Sequence, residues 1–356
     1  MSGRVRALLG LAVTVTLVAL LFRAVNVRQL WDALIATDPR PIVPAIALYL
    51  VSLWVRSLRW ALLLPRERVT IGALFPALIV GLAVNNLLPA RIGELARAYL
   101  LARWCGVAYG ATVASVVVER GLDGATLATL LLAALVFTPW APAYLSALGW
   151  TIAGAFVVAL AVLGVMAWRA DMVGRLAHRA TAWLPGRAGA IAERLSVGFV
   201  DGLRPIRGWR LLGSLVLLSF VGWALELSLF YVLLLDVRPG IWPPSAVAAG
   251  AAANFATLVP SSPGYVGTFD AALVKVVVDL LGISTERATA YALLVHATLF
   301  LPVVFLGLLI LWRADISVRQ VTQRAARRGA TLGHGARRDA VLEMARTGAA
   351  PVSTKG

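Results

Sequence analysis

The chain has 356 residues, of which 60% are hydrophobic and 14% are charged, with a mean hydropathy of +0.84. Soluble domains carry about 25% charged residues, so this composition excludes an ordinary soluble protein and predicts one solvated mostly by lipid. The net charge of +16 would indicate nucleic acid in a soluble protein, but in a membrane protein it first marks cytoplasmic loops. A single cysteine, Cys105, excludes an intrachain disulfide and a cysteine-based metal cluster. We expect no cofactor, no metal site and no nucleic-acid partner.

Six apolar segments are candidates for helices that cross the bilayer, which requires about 20 residues. In chain order they are Ala7–Phe22, Pro41–Leu64, Ala111–Val136, Ala143–Trp168, Leu211–Leu235 and Glu286–Trp312. The first is short and follows basic residues, so a signal peptide is the alternative interpretation. We expect a helix that is retained in the protein, because no small-x-small cleavage site follows. Arg23 and Arg28, which come shortly after the apolar stretch, are also unfavourable for signal-peptide cleavage.

Arginine is concentrated in two segments that lie on the same side of the predicted spans. Residues 169–210 contain eight arginines, and eight more follow Trp312. The loops at 137–142 and 236–244, on the opposite side, hold one arginine between them. Because basic residues accumulate in cytoplasmic loops, we predict six crossings with both termini in the cytoplasm. The predicted organisation is a membrane domain at 1–315, which includes a cytoplasmic basic loop at 169–210, followed by an arginine-rich, largely disordered cytoplasmic tail at 316–356.

Two further apolar regions, Ile71–Leu101 and Ser245–Leu281, are each interrupted in the middle by proline and glycine. A break at bilayer depth is tolerated only beside protein or a water-filled cavity. With six spans, the first region enters and leaves from the cytoplasm and the second from outside, and such a pair is a sequence signature of an inverted-repeat transporter. The predicted hinge residues are Pro89, Gly93, Pro260, Pro263, Gly264 and Gly267.

The predicted fold is therefore an all-α, polytopic integral membrane protein with six full spans and two oppositely oriented, broken re-entrant hairpins. The alternative for each broken region is an ordinary kinked helix, since proline and glycine are common in membrane helices.

Charged residues inside apolar segments are costly and by default indicate function. Arg56 and Arg59 are three residues apart and share a helix face, as Glu119 and Asp123 do at a spacing of four. Arginine suits a lipid phosphate and a carboxylate suits a cationic headgroup, so a polar cavity is predicted between the helices. The predicted substrate-binding residues are Arg56, Arg59, Asn86, Arg91, Glu94, Arg97, Glu119, Arg120, Asp123 and Asp270.

Structural roles are the alternatives for the same residues. Arg59 could extend its side chain to the cytoplasmic headgroups, and the group around Glu119 could be an ion-pair cluster between helices. Glu226 and Asp270 could pair with arginines and stabilise packing. For His296 we expect a packed or hydrogen-bonded side chain rather than a proton relay.

Four motifs carry a resemblance to a known family. They are Arg56-x-x-Arg59-Trp60, Asn86-x-x-Pro89-x-Arg91-x-Gly93-Glu94-x-x-Arg97, Glu119-Arg120-x-x-Asp123 and Pro260-x-x-Pro263-Gly264-x-x-Gly267. With these motifs in this order, the chain resembles the lysylphosphatidylglycerol synthase transmembrane-region, or flippase-like, family over roughly residues 5–315.

The resemblance implies a multi-pass protein of a bacterial or archaeal cell membrane. The best-understood members join this domain to a cytosolic domain that transfers lysine to phosphatidylglycerol, and their membrane domain moves the product lipid between leaflets. The tail after the last predicted span is far too short for that transferase, so we do not expect the synthetic activity here. Stand-alone relatives are linked to lipid or lipid-linked sugar metabolism.

The predicted function is translocation or binding of a phospholipid, aminoacyl-phospholipid or lipid-linked sugar, with no catalytic residues. The alternative is a membrane-embedded transferase that acts on a polyprenyl-phosphate-linked or phospholipid substrate, with Glu119 or Asp123 as its general base. The expected partner is a membrane lipid with an anionic or zwitterionic headgroup. A second copy of the chain or a partner enzyme stays open.

Overall fold

The computed structural model describes residues 38–313 except 66–68, 89–91, 170–171, 177–178, 180–207 and 260–262, together with residues 28, 31–32 and 35. The described part of the chain is helical and contains no strand, which confirms the all-α prediction. The helices are α1 (Ile42–Leu62), α2 (Ile71–Leu87), α3 (Gly93–Cys105), α4 (Tyr109–Val136), α5 (Ala143–Trp168), α6 (Trp209–Val237), α7 (Pro243–Ala256), α8 (Thr268–Leu281) and α9 (Thr285–Arg313).

Four of these helices, α1, α5, α6 and α9, are long and apolar enough to cross a membrane. They coincide with four of the six predicted spans. Helix α4 has 28 residues and is about 42 Å long, but its apolar sequence is interrupted by Glu119, Arg120 and Asp123. The predicted span Ala7–Phe22, most of the basic loop and the tail lie outside the described residues.

The long helices run in opposite directions between two ends of the bundle. At one end, the backbone N–H of Asp38 donates to Asp236 over 3.2 Å, and Trp242 Nε1 donates to the carbonyl of Phe137 over 2.9 Å. At the other end, Leu63 and Leu215 share one hydrophobic cluster. Helices α1 and α6 are therefore antiparallel, and their packed faces form the centre of the molecule.

Each interrupted region folds as a pair of shorter helices packed on each other, α2 on α3 and α7 on α8. The first pair begins and ends near the bundle end that holds Leu63, and the second near the end that holds Trp242. The tips of the two pairs meet inside the bundle, where a Cβ on Gly264 would lie 3.4 Å from the carbonyl oxygen of Asn86. The two breaks thus approach each other from opposite ends.

The packing of helices α1–α4 is repeated by α6–α9. Helix α2 packs on α9 as α7 packs on α4, and α3 packs on α4 as α8 packs on α9. Helix α1 contacts α2 and α9 as α6 contacts α7 and α4. Even the ends of the short helices agree, since α3 and α8 both stop at a left-handed glycine, Gly106 and Gly282. The described fold therefore contains two halves that share most of their helix packing, with α5 packed on the outside of α4.

Candidate functional site

A cavity of about 340 Å³ lies where the tips of the two helix pairs meet the long helices. This volume is at the lower end of the range for small-molecule sites. One part of the lining is polar and consists of Arg56, Asn85, Asn86, Glu94, Arg120, Asp123, Glu226, Asn254, Thr257 and His296. The aromatic part consists of Tyr49, Phe156, Trp223, Phe255, Tyr265, Phe269 and Phe300. The cavity can therefore accept a charged group together with an apolar one.

Behind the cavity wall lies a buried ion network centred on Arg59, whose side chain is 1% exposed. Arg59 Nη1 donates to Asp123 Oδ1 over 2.6 Å and to the Ser219 hydroxyl over 2.7 Å. Its Nη2 donates to Glu119 Oε1 over 3.1 Å, and the other oxygen of Glu119 is 2.8 Å from Arg97 Nη2. The network joins α1, α3, α4 and α6.

A second ion pair lies in the cavity wall between the two central helices. Arg56 Nη2 on α1 donates to Glu226 Oε2 on α6 over 2.6 Å. The Arg56 guanidinium also stacks on the ring of Trp223, 4.2 Å from its centroid, and Trp223 Nε1 donates to Asp123 over 3.1 Å. Both ions are nearly buried, so this pair is built into the packing of α1 against α6.

Arg120 differs from the other three arginines because it is loosely held. Its nearest carboxylate oxygens belong to Asp123 and Glu94, at 3.6 and 3.7 Å, and its side chain is 38% exposed. Both distances exceed those of a charge-assisted hydrogen bond. Arg120 is therefore the described cavity arginine that can turn to an incoming anion without breaking a close contact.

The wall in the second half contains a histidine–carboxylate pair. His296 on α9 lies with Nδ1 2.8 Å from Asp270 Oδ1 on α8. The other oxygen of Asp270 accepts the backbone N–H of Gly267 over 3.0 Å. The His296 ring packs edge-on against Phe269 and beside Phe300, so its orientation is defined on several sides.

The two breaks that shape the cavity are stabilised by short-range hydrogen bonds. In the first, Asn85 Oδ1 accepts the backbone N–H of Gly93 over 2.8 Å and so joins the end of α2 to the start of α3. In the second, Gly264 and Gly267 have φ of 72° and 91°, values that glycine adopts at no steric cost. Pro263 lies in the same turn, whereas Pro89 and Pro260 lie outside the described residues.

Comparison with known proteins identifies the family. Residues 7–307 match the family described as the lysylphosphatidylglycerol synthase TM region. The chain belongs to this family. It is similar to glycosyltransferase AglD of Haloferax volcanii, with 28% identity over 334 residues that cover 83% of this chain and 52% of that protein. It is also similar to a UPF0104 membrane protein of Methanothermobacter thermautotrophicus, with 35% identity over 99 residues, 27% of this chain and 29% of that one.

The chain thus spans about half the length of AglD, and its match to the UPF0104 protein covers less than a third of that relative. The family assignment agrees with the sequence resemblance and makes this chain a membrane protein with several apolar helices. The activity in the name of AglD is a property of that protein.

The structure divides the predicted substrate-binding residues of this family member into groups. Those that line the cavity are Arg56, Asn86, Glu94, Arg120 and Asp123. Arg59, Arg97 and Glu119 lie behind it in the buried network, and Asp270 supports the cavity residue His296. Arg91 lies outside the described residues.

Extension of the Arg59 side chain to the headgroups, considered as an alternative from the sequence, is wrong: the side chain is buried by three hydrogen-bond partners. Pairing of Glu226 with an arginine is confirmed, with Arg56 as the partner.

Sequence reasoning left five non-aromatic polar lining residues out of the predicted site, namely Asn85, Glu226, Asn254, Thr257 and His296. A repeat signal was present: Asp270 precedes His296 by 26 residues, the same spacing that separates Glu94 from Arg120. Similarly, Asn85 and Asn254 are each the third residue from the end of α2 and α7. Aligning the two halves would have identified His296 as the counterpart of Arg120 and would have matched Asn254 with Asn85.

Proposed function

We propose that this protein moves a phosphate-containing lipid between the leaflets of a membrane, with the headgroup in the cavity and the acyl or prenyl chains in the bilayer. The observation that carries the proposal is the charged and aromatic cavity at the meeting point of two oppositely directed helix pairs. A polar path of this kind lowers the cost of taking a headgroup through about 30 Å of hydrocarbon.

In the proposed membrane arrangement, α4 is a fifth full span and Ala7–Phe22 a sixth, with both termini in the cytoplasm. The pair α2/α3 is then re-entrant from the cytoplasm and α7/α8 from outside. The antiparallel long helices and the repeated packing of the two halves support this arrangement. Inverted halves can exchange conformations, which would open the cavity to each side in turn. The tail at 316–356 and the loop at 169–210 would both face cytoplasmic headgroups.

The charge balance of the site favours a phosphate headgroup, anionic or zwitterionic. Arg56, Arg59 and Arg97 each lie within 3.1 Å of a carboxylate, so their charge is compensated before any substrate arrives. Arg120 is available for a phosphate oxygen, and the carboxylates of Glu94 and Asp123 beside it could receive an ammonium group. Aromatic rings in the cavity lining would contact the glycerol or sugar part of the lipid.

Reconstitution into proteoliposomes tests the proposal. Fluorescent phospholipid is placed in both leaflets, and dithionite is added to bleach the outer one. We expect bleaching to exceed the outer-leaflet fraction of empty liposomes, and Arg120→Gln to reduce the excess. Asp279→Asn is the matched control, because Asp279 bonds Tyr144 and Lys275 away from the cavity. Bleaching equal to that of empty liposomes would count against translocation.

A second candidate function is a transferase that acts on a lipid-linked sugar, and the similarity to a protein named glycosyltransferase favours it. Asp123 lines the cavity and would serve as the general base, whereas Glu119 lies behind the wall between two arginines. Sugar transfer by the same proteoliposomes, lost in Asp123→Asn while bleaching is retained, would support this candidate over translocation.

A further inference from the structure

We infer that His296 is a second phosphate-binding group of the cavity, the structural counterpart of Arg120 in the other half of the molecule. The inference rests on the proposed function and adds to it a distinct ligand group for the lipid phosphate. It depends on three observations: the equivalence of the two pairs, the geometry of the imidazole, and the presence of both side chains in the lining of one cavity.

The equivalence follows from the repeated packing. Glu94 and Asp270 both lie in the first turn of the second helix of their pair, α3 and α8. Each faces a basic side chain on the following long helix, Arg120 on α4 and His296 on α9. The same number of residues separates Glu94 from Asp270, Arg120 from His296 and Gly106 from Gly282, so the two halves are in register here.

The contacts of the imidazole leave one nitrogen for a ligand. One oxygen of Asp270 accepts the Gly267 N–H, and an ionised carboxylate has only acceptor oxygens, so against an ionised Asp270 the His296 Nδ1 is the donor. No described residue bonds Nε2, although the ring lines the cavity. Phe269 and Phe300 hold the ring plane, so Nε2 has a defined direction.

The chemistry of this pair suits a phosphate oxygen. A doubly protonated His296 donates Nδ1–H to Asp270 and has an Nε2–H that can donate to a phosphate oxygen. Arg120, loosely paired with Glu94, offers the corresponding donor in the first half. A headgroup that crosses the cavity would thus meet one cationic donor in each half.

Ligand binding to the purified full-length protein in detergent tests the inference. Dioctanoyl phosphatidylglycerol is titrated against thermal unfolding, with dioctanoyl glycerol as the ligand that lacks phosphate. We expect the phospholipid to stabilise the wild type more. His296→Gln and Arg120→Gln should each weaken its affinity on the order of tenfold or more, as expected for loss of a hydrogen bond to a charged group. The double variant should respond equally to both ligands.

Controls separate a binding role from a structural one. His296→Arg retains a cationic donor and should recover much of the phosphatidylglycerol affinity, whereas Asp270→Asn should lower it and Asp279→Asn should leave it unchanged. The inference is overturned if His296→Gln binds the phospholipid like the wild type, or if phosphatidylglycerol and dioctanoyl glycerol stabilise the wild type equally. Should phospholipid bind through His296 without any leaflet exchange in proteoliposomes, the proposed translocation fails and the binding group stands.

Discussion

At the scale of single residues, the main feature of this protein is a set of arginines buried among carboxylates. Three arginines, at 56, 59 and 97, are buried against three acids, at 119, 123 and 226, whereas Arg120 and Glu94 beside them are partly exposed. An unpaired ion in this environment would cost several kcal/mol or more, so each charge depends on its partners. Removing one of these buried ions therefore lowers the stability of the protein more than removing an exposed ion does.

The clearest case is Arg59. Replacing it by glutamine leaves Glu119 and Asp123 buried without their central cation, so we expect the protein to be about 3–5 kcal/mol less stable. Arg59→Lys should be intermediate, because one ammonium cannot reproduce the fork that reaches three partners. Unfolding in detergent, followed by tryptophan fluorescence, measures both effects.

Arg40→Gln is the matched control, since the Arg40 side chain is 91% exposed and forms a long ion pair, with Nε 4.0 Å from Asp38 Oδ1. Exposed pairs of this kind contribute between zero and about 1 kcal/mol. Equal stability of Arg59→Gln and Arg40→Gln would show that the buried network is not a structural requirement.

Sequence spacing predicted part of this site and not the rest. It placed Arg56 with Arg59 and Glu119 with Asp123 on common helix faces, because helical periodicity is a local property. It did not predict that Arg59 pairs with acids 60 and 64 residues away, while Arg120 is left loosely held. Those outcomes depend on how α1, α4 and α6 pack.

At the scale of elements, the helix pairs depend on close approach as well as on their breaks. The α2/α3 pair crosses at Gly81 and Gly93, where a Cβ on Gly93 would collide with the carbonyl oxygen of Gly81 and approach Asn85 Oδ1 to 2.7 Å. The same Gly93 donates its N–H to Asn85. A side chain at position 93 would therefore both separate α2 from α3 and disturb the Gly93–Asn85 hydrogen bond at the break.

We expect Gly93→Ala to destabilise the protein, because neither the Gly81 backbone nor the bonded Asn85 can move without opening the crossing. Gly154→Ala in α5 is the control, since no atom lies within 4 Å of its added methyl group. That change should be neutral or slightly stabilising, as alanine favours helices by about 1 kcal/mol over glycine. Thermal unfolding in detergent compares the two, and equal unfolding temperatures would contradict the assigned close crossing.

The positions of the breaks followed from the sequence, because proline and glycine act on the backbone where they stand. That the tips meet did not, since Gly264 and Asn86 come from opposite halves of the chain. Their contact is decided by α2 packing on α9 and α7 on α4.

At the scale of the whole molecule, the two equivalent halves run in opposite senses. The ends of α4 and α6 meet at Trp242, whereas the start of α6 lies with the end of α1. If the basic loop is cytoplasmic, the first of these ends faces outside. The cavity between the halves would then lie near mid-membrane, where inverted-repeat transporters hold substrate.

Thiol labelling tests this orientation. In a Cys105→Ser background, a cysteine at Trp140, 57% exposed in the loop after α4, should react with a membrane-impermeant maleimide in intact cells. One at Trp209, 78% exposed at the start of α6, should react only after permeabilisation. The reverse pattern would invert the proposed arrangement, and labelling of both sites in intact cells would refute it.

The sequence by itself determined the class of protein, the four helices that are long and apolar enough to cross the bilayer, and the places where two other apolar regions break. These are local properties: apolar length, charge and the backbone chemistry of proline and glycine act within a few residues. The tertiary structure decided which arginines are compensated, which charges reach the cavity and that Glu94–Arg120 has its counterpart in Asp270–His296. Such pairings join distant parts of the chain, and only the packing of two whole halves brings them within a few ångströms.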